Sequence, residues 1–178
     1  MNALASVQVA NYLRDRFVAT TMKVGTFQIV ATKSGERKVG GNVASYFCMA
    51  DGTVVHAVPG PANETTFLSE ARWAWETRRL TLTQSTDFVT GEVDKARLQH
   101  ESAKAHGERF QAVGGRIKNR SAQQLVLPAE LPQQLTQQAQ VHWLLATRPA
   151  ERIDQIYPIV WEQILGEQLS GLPVAMRN

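Results

Sequence analysis

One cysteine and four histidines are the residues of this chain best suited to nucleophilic or metal chemistry. Cys48 lies between Phe47 and Met49 in an apolar run. A reactive thiol needs a helix N-terminus or a cation beside it, together with some exposure, and the sequence around Cys48 indicates neither. Free cysteine is also among the most frequently buried residue types. We therefore expect Cys48 to be a core residue, with thiol-dependent catalysis as the alternative.

The histidines, at positions 56, 100, 106 and 142, form no recognisable metal motif. A zincin-type pair requires histidines four residues apart, because these share one face of a helix. His100 and His106 are six residues apart, which corresponds to about 240° around a helix. His56 falls in a predicted strand. The sequence accordingly predicts no metal site and no cofactor.

Motifs for other chemistries are also missing from the sequence. It contains neither the GxSxG elbow of serine hydrolases nor a GxGxxG or GxxxxGK[ST] phosphate loop. Two acidic pairs, Glu70 with Glu76 and Glu92 with Asp94, have polar neighbours, whereas a carboxylate dyad needs burial to shift its pKa. We expect these acids to lie on solvated helix faces.

Two clusters of basic residues could contact an anion. One follows a pair of glycines, and the other lies in a segment that contains glycines. The stronger cluster is Arg116, Lys118 and Arg120, and the other lies in the polar segment 32–42. The net charge of the 178-residue chain is only +3, so we expect both clusters to be solvated. Weak anion or nucleic-acid binding is a further alternative, although so small a net charge does not favour nucleic acid as a partner.

Composition restricts the class of protein further. A single cysteine excludes an internal disulfide and a CxxC redox pair. No apolar run is long enough to span a membrane, and no signal peptide is visible, so we expect a cytoplasmic protein without a membrane partner.

The strongest structural signal is a β-hairpin over residues 45–58. Asp51-Gly52 separates two apolar runs, and glycine supplies the positive φ that such a turn needs. A helix is predicted from Glu64 to about Leu80, with Asn63 as its N-cap. Trp73 and Trp75 would lie about 200° apart on this helix and point in different directions.

The remaining elements follow from apolar spacing and β-branched residues. Strands are predicted at 17–24 and 26–31, an exposed loop at 32–42, a short strand at 125–127, and helices at 3–16, 85–113, 131–146 and 153–165. The helix at 85–113 is expected to be interrupted near Gly91 or Gly107. This order indicates an α/β or α+β fold with one sheet covered by helices.

Three segments, 6–24, 42–60 and 63–75, resemble the helix–strand unit, the late β-hairpin and the closing helix of the thioredoxin-like family. The resemblance implies a thioredoxin-like α/β domain over residues 1–84 and a mostly helical C-terminal extension over 85–178. The family's CxxC is missing, and its cis-proline position falls on Ala44. Because a cis bond before a non-proline residue costs about 2.5–4 kcal/mol, we expect a trans bond there.

The resemblance without the redox groups implies a non-catalytic domain that binds a protein partner or itself. The residues expected at that interface are Asn42, Ala44 and Tyr46. The family's central first strand is also missing, so its place would be taken by residues 26–31, by 125–127, by a second copy in a homodimer or by residues upstream of Met1.

Overall fold

The structure, a computed structural model, describes residues 3–21, 27–33, 35–40, 42–83, 95–113, 129–131 and 133–169. Within these ranges the chain is an α+β protein with two small antiparallel sheets of two strands each. This confirms the coarser prediction of a mixed fold, while the thioredoxin-like resemblance stays a prediction. Segment 125–127 and the basic cluster of Arg116, Lys118 and Arg120 lie outside the described residues.

The first helix, α1 (Val7–Arg16), follows a short 3-10 turn at Ala3–Ala5. Ser6 is its N-cap, and the hydroxyl of Ser6 accepts hydrogen bonds from the backbone N–H groups of Gln8 and Val9. The prediction of a strand over 17–24 is wrong for residues 17–21, which have no strand pairing. Strand propensity depends on a neighbouring strand, and residues 17–21 have none among the described residues.

The first hairpin joins β1 (Phe27–Thr32) to β2 (Gly35–Gly40). The prediction of a strand at 26–31 is confirmed with a shift of one residue. The prediction of a loop over 32–42 is wrong, because residues 35–40 pair along their whole length with β1, from Gly35 opposite Thr32 to Gly40 opposite Phe27. The segment is polar and carries no apolar alternation, so the pairing is set by the neighbouring strand rather than by its own sequence.

The second hairpin joins β3 (Ala44–Cys48) to β4 (Val54–Pro59) and confirms the strongest prediction. Gly52 has a φ of +86°, and its N–H donates to the carbonyl of Met49 at 3.0 Å. The N–H of Met49 in turn donates to the carbonyl of Thr53 at 2.8 Å. The connection therefore has three residues, ending in a glycine whose left-handed conformation would strain any side chain.

The second helix, α2 (Glu64–Thr83), begins where the sequence predicts. The side-chain oxygen of Asn63 accepts a hydrogen bond of 2.9 Å from the N–H of Thr66, as expected of an N-cap. Its apolar face covers β3 and β4 on the side where α1 also packs. We call this cluster the apolar core; its buried members are Ala3, Val9, Phe47, Val58, Phe67, Leu68, Ala71 and Ala74.

Three further helices follow in the described ranges: α3 (Lys95–Val113), α4 (Gln137–Thr147) and α5 (Ile153–Ile159). Helix α3 packs against α2 and α4, and α4 packs against β4. A π-helical turn at Val160–Ile164 continues α5 beyond Pro158. Helix α3 runs without a break through Gly107, one of two positions where the sequence predicts an interruption. A second apolar cluster fills the space between the second hairpin and α4 and α5. Its buried members are Val54, Ala57, Val141, Leu144, Leu145, Ile156, Val160 and Ile164.

None of the helices in the described ranges combines the length and the apolar character needed to cross a membrane.

Candidate functional site

Four ionisable side chains from four different elements meet in the interior. His56 comes from β4, Glu70 from α2, His106 from α3 and His142 from α4. The three histidines have 0% of their surface exposed, and Glu70 has 5%. We call this group the histidine centre. Buried ionisable residues are rare unless they have partners, so the contacts among these four side chains determine what the site can do.

Local sequence explains why each side chain faces inwards. Every residue of β4 is buried, so the side chain of His56 has no solvent-facing alternative. On α2, Glu70 lies three and four residues from Phe67 and Ala74, and this spacing places all three on the packed face. On α3 and α4, His106 and His142 belong to the buried residues of their helices.

Glu70 connects two of the histidines to an arginine. Its Oε2 atom is 2.8 Å from Nε2 of His56 and 3.8 Å from Nε2 of His142. Its Oε1 atom accepts a hydrogen bond of 3.2 Å from Nη2 of Arg109, one turn beyond His106 on α3. One carboxylate oxygen is thus held by the arginine, and the other faces the two imidazoles.

His106 is held at both ring nitrogens. Its Nε2 atom is 2.8 Å from the carbonyl oxygen of Val55. Its Nδ1 atom is 3.0 Å from Nδ1 of His142. A carbonyl can only accept a hydrogen bond, so Nε2 of His106 carries the proton, and Nδ1 of the neutral ring presents a lone pair. The position of this proton follows from the hydrogen-bond partners.

The same reasoning assigns the other two rings. Nε2 of His56 donates to the carboxylate of Glu70, so Nδ1 of His56 has a lone pair, and this buried atom has no hydrogen-bond partner among the described residues. If Nδ1 of His142 donates to His106, Nε2 of His142 is also left with a lone pair and no partner. Neutral tautomers alone therefore leave two buried nitrogens unsatisfied, and each such group costs about 1–3 kcal/mol.

Burial keeps the histidines uncharged. Removal from water lowers the pKa of His56 to about 4, although the hydrogen bond to Glu70 opposes this shift. Burial also lowers the pKa of His106 and of His142 below the ordinary value. For Glu70, burial by itself would raise the pKa, but the neighbouring imidazoles of His142 and His56 outweigh it and lower the pKa. At neutral pH the centre consists of three neutral imidazoles and one carboxylate.

A single tryptophan borders all three rings. The indole of Trp73 lies 4.8 Å from the ring of His56, 4.7 Å from His106 and 5.1 Å from His142, measured between ring centroids. Trp75 points elsewhere, with its ring 5.7 Å from that of Phe17. The prediction that the two tryptophans point in different directions is confirmed, and Trp73 provides a fluorescent group in contact with the centre.

The donor set fits a metal ion. One ring nitrogen from each of His56, His106 and His142 can be chosen so that all three lie within 4.8 Å of one another. Two nitrogens on a tetrahedral zinc ion, each about 2.0–2.1 Å from the metal, are separated by about 3.3 Å. The facing Nδ1 atoms of His106 and His142 are 3.0 Å apart, close to that separation.

The surroundings of the rings also match those of metal-binding histidines. Such residues usually donate their second ring N–H to a carboxylate or a backbone carbonyl, which fixes the tautomer and orients the ring. Val55 supplies a carbonyl to His106, and Glu70 supplies a carboxylate to His56. Arg109 in turn donates a hydrogen bond to the Glu70 carboxylate, which fixes the orientation of that carboxylate.

The residues singled out from the sequence lie elsewhere. Cys48 is half-buried at the end of β3, and burial raises the pKa of its thiol to about 11. Ala44 and Tyr46 lie on β3 and pack against the second apolar cluster. The backbone N–H of Asn42 faces the carboxylate of Glu167 at 3.3 Å. The structure does not bring these residues into the histidine centre.

Sequence reasoning missed the centre because its members are far apart in the chain and come from separate elements. The expectation that Glu70 lies on a solvated face is wrong, because the packed side of α2 includes that position. One signal was present: His56 interrupts the apolar run of β4, and a polar residue at a predicted core position indicates a buried polar contact. His100, the histidine considered together with His106, is exposed.

The chain matches no known family model, no curated protein and no solved structure. The interpretation of the centre therefore depends on its geometry.

Proposed function

We propose that this protein binds one divalent transition-metal ion, such as zinc, through the imidazoles of His56, His106 and His142. The observation that carries the proposal is the convergence of one nitrogen from each of these three fully buried rings within 4.8 Å. Glu70 acts as the partner that orients His56 and supplies negative charge beside the ion.

The donor atoms select the class of ion. Imidazole nitrogen suits zinc, copper, iron and nickel, whereas magnesium and calcium prefer oxygen ligands. Three neutral imidazoles with one nearby carboxylate therefore favour a late transition metal. The lowered histidine pKa values support binding, because a protonated imidazole cannot act as a ligand.

Ion binding also explains the unsatisfied nitrogens. When an ion takes Nδ1 of both His106 and His142, the proton of His142 can move to Nε2, which faces Glu70. The two facing Nδ1 atoms then no longer compete for one proton. The alternative, a histidine network held by hydrogen bonds alone, leaves two buried lone pairs without partners.

The site is closed to solvent, which favours a structural or storage role over catalysis, although three histidines fill only three of the four positions of a tetrahedral ion. Catalytic zinc sites keep a position open for water or substrate, whereas structural sites are enclosed by protein ligands. None of the three histidine rings is exposed. We therefore assign no reaction to the centre.

A cobalt titration tests the proposal. Protein freed of metal with a chelator is titrated with Co²⁺, whose visible absorption intensifies in a tetrahedral site, while the tryptophan fluorescence, to which Trp73 contributes, is recorded. We expect saturation at one ion per chain and replacement of Co²⁺ by Zn²⁺. His106→Gln should abolish saturable binding, and His100→Gln, which changes an exposed histidine on the same helix, should not.

The result that contradicts the proposal is equally specific. Wild-type protein that binds no Co²⁺ or Zn²⁺ at micromolar concentration, while circular dichroism shows it to be folded, would leave the histidine centre as a hydrogen-bonded network. Equal binding by wild type and by folded His106→Gln would place the ion elsewhere.

A second candidate is the predicted interaction module of thioredoxin-like type, and one observation favours it. The N–H of Gly60 donates to the carbonyl of Val43, and Ser45 and Phe47 stand opposite Val58 and His56. In an antiparallel ladder, hydrogen-bonded pairs alternate with non-hydrogen-bonded pairs, so the backbone N–H and C=O groups of Ala44 and Tyr46 point away from β4. No other strand pairs with this edge in the described ranges, so it can accept a strand from a protein partner or a second copy.

Substitution at this edge tests the second candidate. Ala44→Pro removes an N–H that points away from β4, so it should weaken association without breaking the hairpin. Light scattering over a range of concentrations measures self-association; a monomeric wild-type protein would contradict a homodimer. The third candidate, a thiol enzyme using Cys48, receives no support from a thiol pKa of about 11.

A further inference from the structure

We infer that the bound ion carries one small monovalent anion from solution as its fourth ligand. The inference rests on the proposed metal binding and names the ligand that completes that same site. It follows from the number of protein donors, from the charges of the buried groups and from the space beside them.

The histidine centre offers fewer donors than a tetrahedral ion takes. Each of the three imidazoles supplies one nitrogen, whereas a tetrahedral zinc ion takes four ligands. Glu70 is the other ionisable member of the centre, but both of its oxygens already have partners. Its Oε2 atom lies 2.8 Å from Nε2 of His56, and its Oε1 atom accepts a hydrogen bond of 3.2 Å from Nη2 of Arg109. A direct bond from Glu70 to the metal would disturb these contacts, so a ligand from solution fits the fourth position better.

The side chains of the centre offset little of the charge of the ion. The three imidazoles are neutral because burial lowers the pKa of each. Glu70 carries one negative charge and Arg109 one positive charge, and the two form an ion pair at 3.2 Å. They act on the pKa of His142 in opposite directions, since the carboxylate raises it and the guanidinium lowers it. A divalent ion therefore adds two positive charges to a group whose own charges cancel.

An uncompensated charge is costly at a place that water does not reach. The three histidine rings have 0% exposure, and a buried charge is stable only beside an opposite charge. A monovalent anion on the ion halves the remaining charge and also fills the fourth coordination position. A neutral ligand such as water fills the position but leaves the charge unchanged.

The space near the centre restricts the size of the anion. A cavity with room for about one water molecule lies beside β4 and α3, and its lining includes Val55 and Ser102. Val55 precedes His56, and its carbonyl contacts His106; Ser102 lies one turn before His106 on α3. This space matches a halide or a hydroxide, and phosphate exceeds it.

The two sources of such an anion differ in the protons that they release. A halide binds the ion directly and releases none. A water molecule on the ion instead loses one proton to the solvent and stays bound as hydroxide, because zinc lowers the pKa of its bound water to about 7. The histidines release no protons near neutral pH, since burial keeps them uncharged before the ion binds.

Proton release and chloride dependence during zinc binding to the full chain test this inference. Zinc is added to metal-free protein at about pH 7.5 in perchlorate, which coordinates metals weakly, and in chloride at the same ionic strength. A pH indicator counts the protons, and competition with a chromophoric chelator measures the affinity. Hydroxide as the fourth ligand predicts about one proton released for each zinc bound in perchlorate. Chloride as the fourth ligand predicts an affinity that rises about tenfold for each tenfold increase in chloride.

Zinc content is measured on the same samples, so the two proposals can fail separately. Zinc that binds at one equivalent with either of these signatures supports the inference. Zinc that binds at one equivalent without proton release, and with equal affinity in perchlorate and chloride, overturns the inference and leaves the metal site intact. The fourth ligand would then be a protein group or a neutral water. Failure to bind zinc overturns both proposals.

Arg109→Gln tests the role of charge separately. Without the guanidinium, the carboxylate of Glu70 offsets one charge of the ion, so the ion attracts an anion less strongly. We expect folded Arg109→Gln to release fewer protons at the same pH, or to depend less on chloride, than the wild type. Arg72→Gln, which changes an exposed arginine on α2, is the matched control and should behave as the wild type does. Wild-type proton release and chloride dependence in folded Arg109→Gln would contradict the inference.

Discussion

The two sides of α2 show two different ways of filling a protein interior. Towards α1, the apolar core brings together Phe47, Phe67 and Val9, which need only burial and shape complementarity. Towards α3 and α4, the histidine centre places four ionisable groups where water cannot reach them. The first region is complete with its own side chains, whereas two buried imidazole nitrogens of the second have no hydrogen-bond partner among the described residues.

Burial has opposite consequences for the two regions. For apolar side chains burial is the stabilising term, worth about 25 cal/mol for each Å² removed from water. For a histidine or a carboxylate burial is a cost that hydrogen bonds or a metal must offset. The apolar core should therefore respond to changes in volume, and the histidine centre to changes in metal and in proton concentration.

The largest expected effect belongs to the apolar core. Phe67→Ala removes a ring that is 4% exposed and packs 6.0 Å from the ring of Phe47. A substitution of this kind costs about 3–5 kcal/mol of unfolding free energy, from lost burial and the cavity left behind. Urea denaturation should show the same loss in zinc and in chelator. A loss that zinc cancels would mean that the two regions are not separate.

Glu70→Gln alters the histidine centre while preserving the shape of the side chain. As a partner that orients a ligand from outside the coordination sphere, Glu70 should contribute about 10- to 100-fold to zinc affinity. Competition with a chromophoric chelator measures this change, and Glu76→Gln on the exposed face of α2 is the matched control. Loss of all binding in folded Glu70→Gln would instead make the carboxylate a direct ligand.

Stability in the presence of chelator should fall as the pH drops from about 6.5 towards 4. The unfolded chain binds protons on its histidines near pH 6.5, whereas burial lowers the pKa of His56 to about 4 in the folded protein. The unfolded state therefore holds more protons in this interval, and its free energy falls relative to the folded state. The pKa of Glu70 is also lowered in the folded protein, so Glu70 adds to the loss of stability once the pH falls below the ordinary pKa of a glutamate.

Urea midpoints at about pH 7.5 and pH 5 measure this dependence. Excess zinc should raise the midpoint at pH 7.5 and have less effect at pH 5, because protons compete with the ion for the imidazoles. Midpoints that are equal at the two pH values in chelator would contradict the assignment of neutral, buried histidines.

The smallest expected effect concerns the cap of α2, which both regions share. Asn63→Ala removes the acceptor for the N–H of Thr66 and should cost about 1 kcal/mol. The loss should be equal in zinc and in chelator, because the hydrogen bond from Thr66 to Asn63 lies a full turn before Glu70 on α2. Asn63→Asp, which keeps an acceptor, should restore most of the stability; a failure to do so would contradict the capping role.

Local signals in the sequence predict the features that local interactions determine. Asp51-Gly52 predicts the turn of the second hairpin, and Asn63 with the apolar spacing after it predicts α2. Strand β2 was missed because its pairing with β1, rather than its own residues, makes it a strand. The prediction of a strand after α1 is wrong for a related reason, because β-branched residues form a strand only beside another strand.

The histidine centre depends on contacts that no local pattern contains. His56 and His142 are separated by 86 positions in the numbering and meet only because β4 and α4 share an apolar cluster. Glu70 points inwards because the buried face of α2 includes polar residues as well as the apolar ones. A polar residue inside an apolar strand was the available sign, but it did not identify the partners of His56.

X-ray absorption at the zinc edge of protein loaded with one equivalent of zinc identifies the ligands of the ion. We expect a first shell at about 2.0–2.1 Å with the outer-shell scattering of three imidazole rings. A first shell of oxygen atoms without imidazole scattering, in folded wild-type protein, would contradict zinc binding by His56, His106 and His142.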